Sequence, residues 1–185
     1  MPGGADVKAP DSLELNATAA SLLGYLAEGP RSGYDLASLI EKSIGYFWNV
    51  TRSQIYRELR ALEEAGLVRA GKAGRRERRP FTRTATGRAA FDAWIAKMPA
   101  DELIRFPLLL TVFFGDRLPV PELARILRDH RARHENRREE YRKVLAFLQG
   151  GDVDRAMAAR TARFGLMYEE AVLEWFASLE REGLL

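Results

Sequence analysis

Between Ser53 and Arg60 the sequence SQIYRELR places Ser53, Gln54, Tyr56, Arg57 and Arg60 within eight residues, interleaved with Ile55 and Leu59. Amide and guanidinium forks match the paired donors and acceptors of base edges, whereas hydroxyl, phenol and backbone amide groups suit phosphates. A few residues later, GKAGRRERRP (71–80) carries Lys72, Arg75, Arg76, Arg78 and Arg79 against the single acid Glu77. Such a local cationic stretch beside a polar helix face is the electrostatic footprint of a nucleic-acid surface. Tyr34, at the start of the preceding helix, joins these as a candidate DNA contact.

The residues that other chemistries require are missing. There is no cysteine and there are only two histidines, so thiolate metal sites, disulfides and cysteine nucleophiles are excluded. No phosphate-binding glycine loop and no Ser-His-carboxylate context is present. Adjacent acids such as Glu63-Glu64 and Glu139-Glu140 diverge on a helix. His130 and His134 are spaced to share a helix face, but Arg131, Arg133, Arg137 and Arg138 surround them, which disfavours a cation; a solvated or seam position, or a pH-sensitive helix contact, suits them better. The expectation is therefore no enzyme, no metal and no cofactor.

These side chains need a frame. Asn16 can cap a helix over 17–28 whose Leu22, Leu23 and Leu26 form an apolar stripe ended by Gly29-Pro30, and Ser32 caps a second helix carrying Leu36, Leu39 and Ile40. Tyr46-Phe47-Trp48 then reads as a loop packed on the core, with Trp48 as its plug. Thr51 or Ser53 caps the third helix and Gly66 stops it. At roughly 100° per residue Ile55, Leu59 and Leu62 point inward, so Ser53, Arg57 and Arg60 point outward with Gln54 and Tyr56 on the flanks. Residues 67–70 and 79–82 read as two strands around the basic loop, with Pro80 arguing for an edge position. Thr84 to Met98 is a fourth helix. That order is a winged helix-turn-helix with a two-stranded β wing and a linking helix.

The second half is written differently. The apolar block 106–114 predicts a buried helix. Long helices follow over 120–149 and from 152 to about 182; in the first, Leu123, His130, Arg137 and Val144 recur every seven residues, as do Leu127, His134, Tyr141 and Leu148. The last carries Phe164, Met167, Tyr168, Ala171, Val172, Trp175, Phe176 and Leu179, a stripe wider than one neighbour covers. An antiparallel hairpin that buries its remaining face in a twofold homodimer is the expected arrangement.

The fold class is thus mainly α, divided into a flexible arm (1–14), a DNA-binding domain (15–99) and a helical dimerisation domain (100–185). The overall charge is +3, but it is uneven: residues 1–99 hold 15 Lys and Arg against 11 acids, and residues 100–185 hold 14 against 15. No apolar run reaches the roughly 18–20 residues of a membrane span, and the first residues lack a signal-peptide core. The expectation is a soluble, unprocessed cytoplasmic protein, nucleoid-associated when bound to DNA.

Several linked motifs carry a family resemblance. LLGYLAEGPRSGYDL (22–36), FWNVTRSQIYRELRALEEAGLV (47–68) and RRPFTRTATGRAAFDAWI (78–95) resemble the PadR family of bacterial transcriptional regulators. RFPLLLTVFFGDRLP (105–119) and the long helices resemble the C-terminal region of its larger, virulence-activator-like branch, so the similarity spans about residues 16–180. One departure is Arg57-Glu58, where the family commonly has Pro-Thr; it leaves the helix start unkinked and adds a charge on the outward side. The resemblance implies a homodimer that binds double-stranded DNA at a pseudo-palindromic operator, its recognition helices roughly one turn of about 10 bp apart, and that acts as a repressor. It also implies a small aromatic or hydrophobic effector, with Trp94, Phe164, Met167, Tyr168, Ala171, Trp175 and Leu179 as dimer-core or pocket residues. The alternative is an effector-binding or protein-interaction dimer that uses the winged fold as a docking module and binds DNA weakly.

Overall fold

The computed structural model describes residues 15–72, 79–101, 104–150 and 155–185. The chain forms two compact units, divided between Ala100 and Asp101.

The first unit opens with α1 (Ala17–Tyr25), started by Asn16, whose side-chain oxygen accepts the Ala19 N–H at 2.9 Å. A single 3-10 turn, Leu26–Glu28, ends at Gly29. Strand β1 (Arg31–Ser32) leads directly into α2 (Gly33–Lys42), where Ser32 and Asp35 form a reciprocal capping box. Helix α3 (Arg52–Glu64) has its own capping box between Thr51 and Gln54, which resolves the start of the helix in favour of Thr51 over Ser53. Gly66, at φ 71°, turns the chain out of α3 in the left-handed region open to glycine. Strands β2 (Val68–Ala70) and β3 (Pro80–Arg83) and helix α4 (Ala85–Ile95) follow.

Leu22, Leu23, Leu36, Ile40, Ile55, Leu59 and Leu62 are each at most 2% exposed and form the centre of this unit's core. Burying each such side chain stabilises the fold by about 1.5–3 kcal/mol, and three of them, Ile55, Leu59 and Leu62, are the inward face of α3. The core therefore fixes which side of α3 looks outward.

Two expectations about the sheet are corrected. It has three strands, in the order β1-β3-β2, because Arg31 and Ser32 pair antiparallel with Phe81 and Pro80. Pro80 consequently lies in the central strand, at its first residue, which is one of the positions a strand tolerates for a residue without an N–H. The loop aromatics also differ from expectation. Phe47 is 55% exposed and Trp48 39% exposed, with the Trp48 indole N–H reaching the Thr18 hydroxyl at 3.3 Å. Trp48 does not plug the core, since leucine and isoleucine side chains already fill the space between α1, α2 and α3.

The second unit consists of α5 (Pro107–Phe113), a short 3-10 turn, α6 (Val120–Gln149) and α7 (Ala156–Arg181). Helices α6 and α7 run antiparallel: Arg131 pairs with Glu180 while Arg142, a further eleven residues along, pairs with Glu170. Of the two heptad series, the one through Leu127, His134 and Tyr141 is the buried seam. Tyr141 packs against Gly165, where a β-carbon would come within 2.2 Å of the phenol ring. The expectation of a buried helix over the apolar block is not met, since α5 has no buried residue. Leu108 and Val112 pack against the Leu127, Phe176 and Leu179 cluster, but Leu109, Leu110 and Phe113 remain exposed. A helix apolar on all sides has more such surface than one neighbouring hairpin covers. Among the described residues no helix is long and apolar enough to cross a membrane.

Candidate nucleic-acid interface

Helix α3 presents Ser53, Gln54, Tyr56, Arg57 and Arg60 as exposed side chains above the buried Ile55, Leu59 and Leu62. Its first turn contains no acid, so the positive end of the helix dipole is not neutralised locally and suits an anion. Gln54 is partly committed: its carbonyl oxygen accepts the Thr51 N–H at 2.8 Å and the Thr51 hydroxyl at 3.0 Å. The amide nitrogen is the end left to donate outward. The Arg57 guanidinium lies 3.3 Å from Glu58, and the other oxygen of that carboxylate accepts from the Asn16 amide at 2.9 Å. Arg57, still mostly exposed, is thereby tethered to the start of α1.

Two tyrosines extend the surface toward α2. The Tyr56 ring lies over Gly33, the first residue of α2, where a β-carbon would approach its Cε1 to 2.5 Å. The Arg52 guanidinium sits 5.6 Å from the centre of the Tyr34 ring, a cation–π contact that holds a positive charge at the amino end of α3. Both rings keep nearly half of their surface exposed.

The basic stretch is only partly within the described residues. Lys72 is exposed, and Arg75, Arg76 and Arg78 lie outside the described residues. Arg79 has internal partners: it donates from Nε to the Gly71 carbonyl at 3.2 Å and pairs through Nη2 with Glu63 at 3.2 Å.

The residues expected to share a dimer core or pocket are distributed. Trp94 is half-buried on α4 of the first unit. On α7, Leu179 is buried in the core of the second unit and Trp175 packs beside Phe176, with ring centres 4.9 Å apart. Tyr168 is half-buried and stacks with Phe106 at 6.2 Å; burial, and secondarily Glu169, raises its hydroxyl pKa above the ordinary value. Phe164, Met167 and Ala171 are exposed.

His134 is a buried seam residue. Its Nδ1 lies 2.5 Å from Glu169, and Arg137 reaches the same carboxylate at 3.4 Å. His130 is only partly covered; burial, followed by Arg133, His134 and Arg137, lowers its pKa against the opposing effect of Asp129. Sequence reasoning missed Gly33, Glu58, Glu63 and Glu169. Each owes its role to a partner elsewhere in the fold; Gly33 stands in a motif of the family and Glu58 departs from the family pattern, whereas nothing in the sequence marked Glu63 or Glu169 as the partner of a cation.

Comparison with known proteins agrees with the fold. Residues 22–93 match the model of the transcriptional regulator PadR-like family, and residues 104–182 match that of the virulence activator alpha C-terminal region. The probable transcriptional regulator Rv1176c of Mycobacterium tuberculosis is 41% identical over 80 residues, which cover 42% of each chain. The negative transcriptional regulator PadR of Bacillus subtilis is 28% identical over 134 residues, 68% of this chain and 74% of that one. The structure of Bacillus subtilis PadR in complex with operator DNA superposes with a TM-score of 0.75 at 23% identity, covering 89% of this chain and 97% of that one; PadR has also been solved with p-coumaric acid. At that identity the structural likeness is one of fold, while the two family models between them extend over most of the sequence. The chain belongs to the PadR-like family of transcriptional regulators.

Proposed function

We propose that this regulator is a homodimeric repressor that binds a pseudo-palindromic promoter operator through α3 and is released by a small aromatic or hydrophobic effector. The observation that carries the reading is the outward face of α3. Its inner residues are fully used in the core, and its outer ones combine an amide, a phenol and two guanidiniums beside an uncompensated helix amino end. A surface helix has no structural need for that combination, whereas a helix lying in a major groove uses each group. In this reading Arg57 and Gln54 read bases; Ser53, Tyr34, Tyr56 and Arg60 position the helix; and Lys72, Arg75, Arg76 and Arg78 hold phosphates.

Dimerisation is supported by apolar surface that the second unit leaves uncovered: Leu110 and Phe113 on α5, and Phe164 and Met167 on α7. The repressor assignment draws on the name of the Bacillus subtilis relative, and the aromatic effector on its complex with p-coumaric acid. Trp94, Tyr168, Ala171, Trp175 and Leu179 complete the candidate dimer-core or effector set.

The test is fluorescence anisotropy of the full chain with labelled duplex from its own upstream promoter, beside a scrambled duplex, across a salt series. Tighter promoter binding with a salt slope of several phosphate charges supports the reading. Equal or negligible binding to both duplexes refutes it in favour of the docking module.

A further inference from the structure

The register of β2 and β3 creates a local deficit. Ala70 faces Phe81 and Val68 faces Arg83, so Gly71 faces Pro80. The Gly71 N–H donates to the Pro80 carbonyl at 2.7 Å. In a hydrogen-bonded antiparallel pair the return bond runs from the second residue's N–H to the first residue's carbonyl. Pro80 has no N–H to give, so the Gly71 carbonyl lacks its ladder donor.

Arg79 supplies one. Its Nε donates to the Gly71 carbonyl at 3.2 Å, while Nη2 of the same guanidinium pairs with Glu63 in the last turn of α3 at 3.2 Å. One planar group thus joins the end of the outgoing strand, the start of the returning strand and the recognition helix. A guanidinium can do this because its donors form a rigid fork; a lysine ammonium at the same place has no equivalent geometry.

We propose that Arg79 is a positioning residue of the DNA-binding surface and not a phosphate contact: it replaces the backbone donor missing at Pro80 and, through Glu63, fixes the base of the wing against α3. As it concerns DNA, the inference rests on the function proposed above. It also explains an acid on this surface. Glu63 would repel phosphates if unpaired, but as the partner of Arg79 it orients the cationic ribbon.

The experiment compares the full-length protein with E63Q, R79M, R79K and the E63Q/R79M double variant. E63Q is isosteric on an accessible helix position, so it tests the contact without threatening the core. In the DNA-free protein, amide exchange at Gly71 is expected to accelerate in E63Q, R79M and R79K while α1 amides are unchanged. On promoter duplex, E63Q and R79M are each expected to weaken binding about fivefold, the scale of one exposed ion pair. The double variant should be no weaker than either single one, and the salt slope should not change. R79K retains the charge and is expected to resemble R79M.

Tighter binding by E63Q, or a slope reduced by about 0.9 in R79M, identifies Arg79 as a phosphate contact and overturns the proposal. Unchanged exchange at Gly71 overturns it independently of DNA. Should the unmodified protein fail to distinguish promoter from scrambled duplex, the function proposed above falls, and the exchange measurement alone decides whether the brace exists.

Discussion

The Tyr56 ring rests on Gly33 so closely that a β-carbon at position 33 would stand 2.5 Å from its Cε1. Tyr56 is on the exposed side of α3 and can swing into solvent, so relief of that clash does not require the core to move. Gly33→Ala is therefore expected to leave the thermal midpoint within about 2 °C of the unmodified protein while weakening promoter binding by about 1 kcal/mol, the value of one hydrogen-bonding group displaced. Parallel thermal melts and anisotropy titrations check both halves. A large loss of stability with unaltered affinity would contradict the placement of Tyr56 on the DNA surface.

What could be read from the sequence was local. Asn16, Ser32 and Thr51 precede helices and each cap the helix that follows, because a cap depends on backbone donors only two or three residues away. The inward set Ile55, Leu59 and Leu62 followed from periodicity, and with it the identity of the outward set. Strand β1 was not legible: two residues carry no alternation, and Arg31-Ser32 becomes a strand only because β3 arrives beside it. The pairing of Glu63 with Arg79, of Glu58 with Asn16 and of Glu169 with His134 was hidden for the same reason, since an acidic residue looks alike in sequence whether it faces water or a distant cation. The apolar block containing α5 shows a different limit: hydrophobicity says that Leu110 and Phe113 need covering but not whether the same chain supplies the cover.

Arg57 and Lys72 should fail differently. Arg57 is mostly exposed on the outward face of α3, with one contact to Glu58, and its guanidinium fork suits a base contact. Arg57→Ala is expected to cost about 1–3 kcal/mol on the promoter operator and much less on scrambled duplex. Lys72 lies on the exposed ribbon, and Lys72→Ala should weaken both duplexes alike and lower the salt slope by about 0.9. Equal losses on both duplexes for Arg57→Ala would remove it from base reading.

Gly87 is a packing requirement. A β-carbon there would fall 2.0 Å from the Leu67 carbonyl oxygen, and neither backbone can yield cheaply. The contact is reinforced by Thr84, whose single hydroxyl proton lies between the Gly66 and Leu67 carbonyls and whose oxygen accepts the Gly87 N–H at 3.0 Å. Gly87→Ala is expected to destabilise the winged unit by about 2–4 kcal/mol, measured as a lower urea midpoint, even though alanine is the better helix former.

Glu169 is nearly sealed between His134 and Arg137. Removing one partner of a fully buried ion pair costs about 3–5 kcal/mol. Here the loss should be nearer 2 kcal/mol, because Arg137, the permanently charged partner, is still reached by water. Glu169→Ala is therefore expected to lower the urea midpoint while retaining helical circular dichroism. No change in the midpoint would mean that the triad contributes nothing net to the seam.

Phe164 and Met167 test the dimer directly. They lie three residues apart on one face of α7 and are 72% and 62% exposed, and exposed apolar side chains grouped in this way mark association surfaces. A carboxylate placed in such a face must be desolvated on association without a partner, at a cost of several kcal/mol in the assembly and almost none in the free chain. Phe164→Glu is accordingly expected to keep its helical content but to sediment as a monomer at micromolar concentration, where the unmodified protein is expected to sediment as the proposed dimer. Its promoter affinity should fall toward that of a single half-site, because the two recognition helices no longer bind as one unit. A Phe164→Glu protein that remains dimeric and binds DNA normally would place the dimer interface on a different face of the molecule.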